Sequence, residues 1–223
     1  LNRELVPFSA LRADLGEAVP QREVLVALES LRRRMLIERG PDRPTFALQP
    51  VILEFLTDQL VEAVSQEIMN GQPNVLHRHA LVQATAKEYV RHSQEQLIGQ
   101  SLLEQLRMMG GADGAQERLL ELLEGWRGQA ERAQGYGPGN AVNLLRLLRG
   151  DLRGLDLSGL AIRQAYLAEV EAQDTSMAGA QFSEVALPES FIYPMSVALS
   201  ADGQFLAAGA STGDLTLWNV PGR

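Results

Sequence analysis

Asp151-Leu-Arg-Gly-Leu155-Asp-Leu-Ser-Gly-Leu160-Ala-Ile-Arg-Gln-Ala165-Tyr-Leu-Ala-Glu-Val170-Glu-Ala-Gln-Asp-Thr175-Ser-Met-Ala-Gly-Ala180-Gln-Phe-Ser-Glu-Val185 decides how the last third of the chain is read. Leu152, Leu157, Ile162, Leu167, Ala172, Met177 and Phe182 lie five apart, and so do Leu155, Leu160, Ala165, Val170, Thr175, Ala180 and Val185. Neither a helix, with its period of about 3.6, nor a strand, with its period of about 2, repeats every five residues. A four-sided coil does: if each five-residue unit makes one side, both series point inward and the residues between them face water. Ala172 and the pair Gln173-Asp174 depart from the pattern and predict one loose coil. So short a coil needs a cap at each end.

Upstream, Gly135-Tyr-Gly-Pro-Gly139 predicts a break that no helix crosses, and a hinge. Asn140 after it reads as an N-cap, and Val142, Leu144, Leu145, Leu147 and Leu148 as a short helix that caps the coil. The middle of the chain is polar-rich with helical apolar spacing at Leu81, Ala84 and Val90, at Leu97, Leu102, Leu103 and Leu106, and at Leu119, Leu120, Leu123 and Trp126, punctuated by Gly110-Gly111. Nearer the N-terminus, Val24, Leu28, Leu31 and Met35 predict an amphipathic helix after Pro20, and Pro50 opens another carrying Ile52, Phe55, Leu56 and Leu60. Between them Met35–Glu38 and Thr45–Leu48 read as strands around the turn Gly40-Pro41-Asp42-Arg43-Pro44. With a shorter helix at Ser9–Leu15, this is the order of a winged helix.

Downstream, Ser196-Val-Ala-Leu-Ser-Ala-Asp-Gly-Gln-Phe-Leu-Ala-Ala-Gly-Ala-Ser-Thr-Gly-Asp-Leu-Thr-Leu-Trp218-Asn219-Val220 alternates apolar and polar residues around two turns, Asp202-Gly203 and Thr212-Gly213. It resembles one WD repeat, with Asn219 in place of the usual Asp after Trp218. Its structural positions are Asp202, Gly203, Gly213, Trp218 and Asn219. One blade cannot close a propeller, so further blades are expected after Arg223.

Composition excludes several chemistries. The chain has 223 residues, a formal charge of −8 and no cysteine, which removes disulfides, thiolate nucleophiles and thiolate metal sites and fits a reducing cytoplasm. The acidic balance disfavours phosphate backbones and anionic lipid. No apolar run is long enough for a membrane span. The sole lysine, Lys87, stands in Ala-Lys-Glu, so there is no Walker A loop. Gly209-Ala-Ser211-Thr-Gly213 matches the G-x-S-x-G elbow, but a strand rather than a helix follows, which argues against a nucleophile at Ser211. His77 and His79 are two apart, which on a helix turns them to different faces, and His92 adds no ligand spacing. No catalytic, cofactor-binding or metal residue is therefore assigned. Arg32, Arg33 and Arg34, near the end of the second helix, are candidate DNA contacts, although a basic last turn is also what the helix dipole favours.

The whole order resembles the region after the nucleotide-binding domain of bacterial STAND ATPases with WD-repeat tails, relatives of NB-ARC proteins. Leu25–Arg39, Phe46–Thr57, His79–Arg91, Gly139–Leu145 and the WD-like segment carry the resemblance, and Asp151–Val185 looks like the pentapeptide-repeat family. The resemblance implies a multidomain chain, mainly α in its first two thirds: a winged helix at 1–66, a helical linker at 67–137, a capping helix and pentapeptide-repeat β-helix at 138–190, and a first propeller blade at 191–223. It implies a non-catalytic regulatory and scaffolding segment linking a nucleotide switch to a ligand-sensing propeller. Its partners would be the upstream nucleotide-binding domain, the downstream blades and a protein ligand, with neither nucleic acid nor membrane and with an oligomer in the active parent. ADP or ATP would belong to the parent and no cofactor to this chain. In that family a winged-helix histidine of a Met-His-Asp motif touches the nucleotide; neither His77 nor His79 matches it. The alternative is a winged-helix DNA-binding transcription regulator.

Overall fold

The computed structural model describes residues 5–15, 19–40, 44–187, 194–210 and 215–219. Its N-terminal unit holds strand β1 (Val6–Pro7), helices α1 (Phe8–Leu15) and α2 (Gln21–Arg33), and strands β2 (Ile37–Arg39) and β3 (Thr45–Leu48). The antiparallel sheet has the order β1-β3-β2, with Val6 opposite Phe46 and Ile37 opposite Leu48. Proline fits ahead of α2 because its fixed φ suits the helix entry, and the Pro20 carbonyl accepts the N–H groups of Glu23 and Val24. Val24 and Ile37 are buried, but Met35, placed by its spacing on the inner face, lies past the helix end at φ 57° and is exposed.

Helix α3 (Pro50–Asn70) starts on a proline and stops at Gly71, whose φ of 66° lets the chain turn back while the Gln72 N–H bonds the Glu67 carbonyl. The boundary expected at residue 66 falls within this helix. Helix α4 (Val75–Arg78), α5 (Glu88–Gln94), a π-helical segment (Glu95–Gln100), α6 (Ser101–Trp126), α7 (Glu131–Gln134) and α8 (Gly137–Arg149) follow. Gly111 kinks α6 with φ 75° and ψ 173°, a conformation open almost only to glycine.

Three expectations are corrected here. Residues 79–87 are not helical, although Leu81 and Ala84 have helical spacing; they form a loop in which Leu81, Val82 and Ala84 are buried. The break at residues 135–139 ends early, since α8 begins at Gly137 with Pro138 in its first turn. Asn140 is therefore not an N-cap but a buried residue inside α8.

After α8 the chain coils. Strand β4 (Ala161–Arg163) pairs in parallel with β5 (Gln181–Ser183), Ala161 opposite Gln181 and so twenty residues on. The bridges Asp156 to Ser176 and Tyr166 to Ala186 keep the same offset. Gly154, Gly159, Gln164, Glu169, Asp174, Gly179 and Glu184, one every five residues, turn the corners at φ between 54° and 68°. In the first turn Leu152, Leu157, Leu160, Ile162 and Leu167 are buried, whereas at the far end of the second Phe182 is 40% exposed. Strands β6 (Pro194–Leu199), β7 (Phe205–Ala210) and β8 (Leu215–Asn219) then form an antiparallel meander.

The expected multidomain architecture, with a short pentapeptide-repeat β-helix and a propeller blade, is overturned. About half of the described residues are helical, the sheets are small and separate, and no closed barrel or propeller occurs among the described residues. One hydrophobic cluster runs from Val64 and Ile68 of α3 through Leu102, Leu119 and Trp126 of α6 and Leu145 of α8 to Leu152, Leu157 and Ile162 of the coil. Two turns enclose too little apolar area to stand alone, so the coil is completed by the helices packed on it.

Candidate functional site

The junction between helices and coil is tied by side-chain amides. Asn140 is 2% exposed; its Oδ1 accepts the Leu81 N–H at 2.9 Å, and its Nδ2 donates to the carbonyls of Leu76 and His79, each at 2.7 Å. One turn on, Asn143 donates to the Gln164 carbonyl and accepts from the Tyr166 N–H. Gln94 accepts the Gln83 N–H, Gln164 accepts the Ala84 N–H, and Gln134 accepts the Ala161 N–H, each at 2.8 Å. A buried loop must satisfy its backbone groups somewhere. Here remote amides do it, and in doing so bind the 79–87 loop, α8 and the coil together.

Close backbone approach accompanies these bonds. A β-carbon on Gly139 would lie 1.7 Å from the Arg163 carbonyl oxygen, and one on Gly137 would lie 2.3 Å from the Trp126 ring. These glycines are contact points between α8, the coil and α6, not the hinge expected of them. His77 is structural as well: its Nδ1 lies 3.1 Å from the Gln134 carbonyl oxygen, and its own carbonyl accepts the Tyr136 N–H. His79 is exposed. No group of three or more His, Cys, Asp or Glu suited to a metal occurs among the described residues.

Charges brace the same junction. Glu95, 5% exposed in the π-helical segment, pairs with Arg91 of α5 and Arg146 of α8. The Arg91 guanidinium stacks 3.7 Å from the centre of the Tyr166 ring, joining the group to the coil. At the end of α6, Arg127 donates to the carbonyls of Ser158 and Asp156 at a corner of the coil. The Asp156 carboxyl is held below its ordinary value, first by hydrogen bonding with Ser158 and further by Arg127.

The remaining candidates lie apart. Arg32 and Arg33 are exposed in the last turn of α2, and Arg34 is its C-cap. Glu29, one turn back, takes hydrogen bonds from both Arg32 and Arg33. The Arg32 bond is the main reason the Glu29 carboxyl is lowered from 4.5 to about 2. Part of the positive charge is thus neutralised within the helix. In the β6–β7 turn, Asp202 accepts from the Ser200 hydroxyl and the Gln204 N–H, and Gly203 takes φ 72°. Trp218 and Asn219 lie in β8 opposite Leu206 and Phe205. Gly213 and Ser211 lie outside the described residues. No described helix is long and apolar enough to cross a membrane.

Sequence reasoning passed over Asn143, Gln94, Gln134 and Gln164. The available signal was polar residues at positions whose neighbours were read as buried, Asn143 between Val142 and Leu144 above all.

No family model matches the chain, and no solved structure matches it. Over 99% of its length it is 33% identical to an uncharacterized WD repeat-containing protein of Nostoc sp. (strain PCC 7120). The chain spans 20% of that relative's length. This similarity supports a WD-repeat protein.

Proposed function

We propose that this chain is a non-catalytic connector in a WD-repeat protein, a scaffolding segment that holds an N-terminal module at a set position relative to a C-terminal interaction module. A WD repeat-containing relative is consistent with a protein-interaction or scaffolding role. The observation that supports a connector is the unbroken core from α3 to the coil, tied at its centre by the buried amides of Asn140 and Asn143. Such a body moves as one piece, which a segment relaying position requires. In the finer reading, the upstream module is the nucleotide switch of a STAND-type ATPase and the downstream one a ligand-sensing propeller; the connector carries out no reaction and takes no cofactor.

Spin labels at Asp58 on α3 and Ser176 on the coil test the connector. Pulsed distance measurements are expected to give one narrow distribution, broadened in an Asn140→Ala/Asn143→Ala variant. A broad distribution in the unaltered chain removes the basis for the reading. For the finer reading, the double variant in a polypeptide that joins the nucleotide-binding module to the propeller is expected to uncouple ADP release from propeller ligand. Unchanged coupling would refute the switch.

A further inference from the structure

Helix α3 has two apolar faces, and only one of them belongs to the core. Leu53, Val61, Val64 and Ile68 point inward, while Val51 is 74%, Phe55 59% and Leu56 40% exposed on its first half. Val51, Glu54, Phe55 and Asp58 fall at i, i+3, i+4 and i+7, which puts them in one stripe along the helix. Glu54 and Asp58 have neither an ion pair nor a side-chain hydrogen bond among the described residues. Both carboxylates also line a groove of about 560 Å³ between α3 and the π-helical segment, walled by Leu48, Pro50 and Leu53 on one side and by Leu97 and Ser101 on the other. Two like charges four residues apart disfavour a helix, and nothing in the described fold balances them.

The geometry points to this groove as the docking site for an amphipathic helix of a partner protein, one that presents an apolar stripe flanked by Lys or Arg. The apolar floor takes the partner's stripe at i, i+3, i+4 and i+7, and Glu54 and Asp58 take its cations at the groove wall. Charge sets the choice of occupant: an acidic or uncharged helix would leave the carboxylates unpaired beside a desolvated surface. The inference rests on α3 and its groove alone and makes no use of the connector reading.

Two amidated helical peptides of about four turns, with identical leucine stripes but flanked by lysines in one and glutamates in the other, test it by fluorescence anisotropy against the whole chain. The lysine peptide is expected to bind, to weaken as salt rises from about 0.05 to 0.3 M, and to lose about tenfold affinity for Leu97→Ser, which removes an apolar wall of the groove. Glu54→Lys/Asp58→Lys is expected to reverse the preference, so that the glutamate peptide binds and the lysine peptide does not. All three positions are exposed or rim the groove, and circular dichroism confirms that each variant folds. Equal binding of both peptides, or a preference unaltered by the charge reversal, overturns the proposal. So does self-association in sedimentation velocity that the charge reversal abolishes, since a second copy would then cover the groove.

Discussion

Asn140 shows how much one side chain can hold. Its amide serves three backbone groups, one from position 76 in α4 and two from positions 79 and 81 in the loop that follows it. Asn140→Leu would leave the Leu76 carbonyl and the Leu81 N–H buried without this partner, at about 1–3 kcal/mol each, so we expect a loss of roughly 2–6 kcal/mol, read as a lowered urea midpoint. An unchanged midpoint would show that water replaces the amide. Glu169 tests the corners of the coil. It is an exposed non-glycine at φ 57° with no side-chain bond, so Glu169→Gly relieves roughly 1–2 kcal/mol of left-handed strain against about 0.5–1 kcal/mol of extra chain entropy. A small gain in stability is expected, and a loss would mean that the corner is unstrained. Glu29 makes a third test. Its carboxyl, near 2 in the fold against 4.5 ordinarily, favours the folded chain above the ordinary value, and that contribution fades as pH falls from about 4.5 toward 2. Carboxyl NMR is expected to show the Glu29 titration moving up toward 4.5 in Arg32→Ala; no movement would remove the guanidinium as the cause.

At the scale of elements, α2, α3 and the five-residue period were legible because each is dictated locally, by apolar spacing and by proline at a helix entry. The 79–87 loop and the start of α8 were not. Leu81, Val82 and Ala84 imitate a helix face, and the groups that make the loop affordable in the interior lie at positions 94, 140 and 164. Local sequence can mark a polar residue as buried, but it does not name the distant partner of its bond. The glycines of residues 135–139 misled for a related reason: a flexible residue and a closely approached one are the same residue, and only the partner tells them apart. Gly139→Ala separates the two. With the Arg163 carbonyl in its way, a methyl group must push α8 off β4, so a loss of about 1–3 kcal/mol or more is expected from overpacking. A hinge would tolerate it.

Across the whole molecule, the order of elements was readable but the number of independent bodies was not, because apolar periodicity says which residues are inside without saying inside what. Hydrogen exchange should reveal the bodies. Amides from Val61 through Leu167 share one core and are expected to open together at a high free energy. The N-terminal unit of α1, α2 and the three-stranded sheet, in which Val24 and Ile37 are the buried apolar side chains among the described residues, is expected to open sooner. Uniform exchange from α2 to β5 would instead make the chain a single cooperative unit. The twenty-residue register of the coil has a metric consequence. Neighbouring rungs of hydrogen-bonded backbone lie about 4.8 Å apart, so inserting or deleting one full circuit changes the coil's height by about 4.8 Å while preserving which side faces which way. Five residues more or fewer would instead swing whatever follows by a quarter turn. The coil is thus a gauge with two settings, distance and bearing, and evolution can adjust either by counting residues.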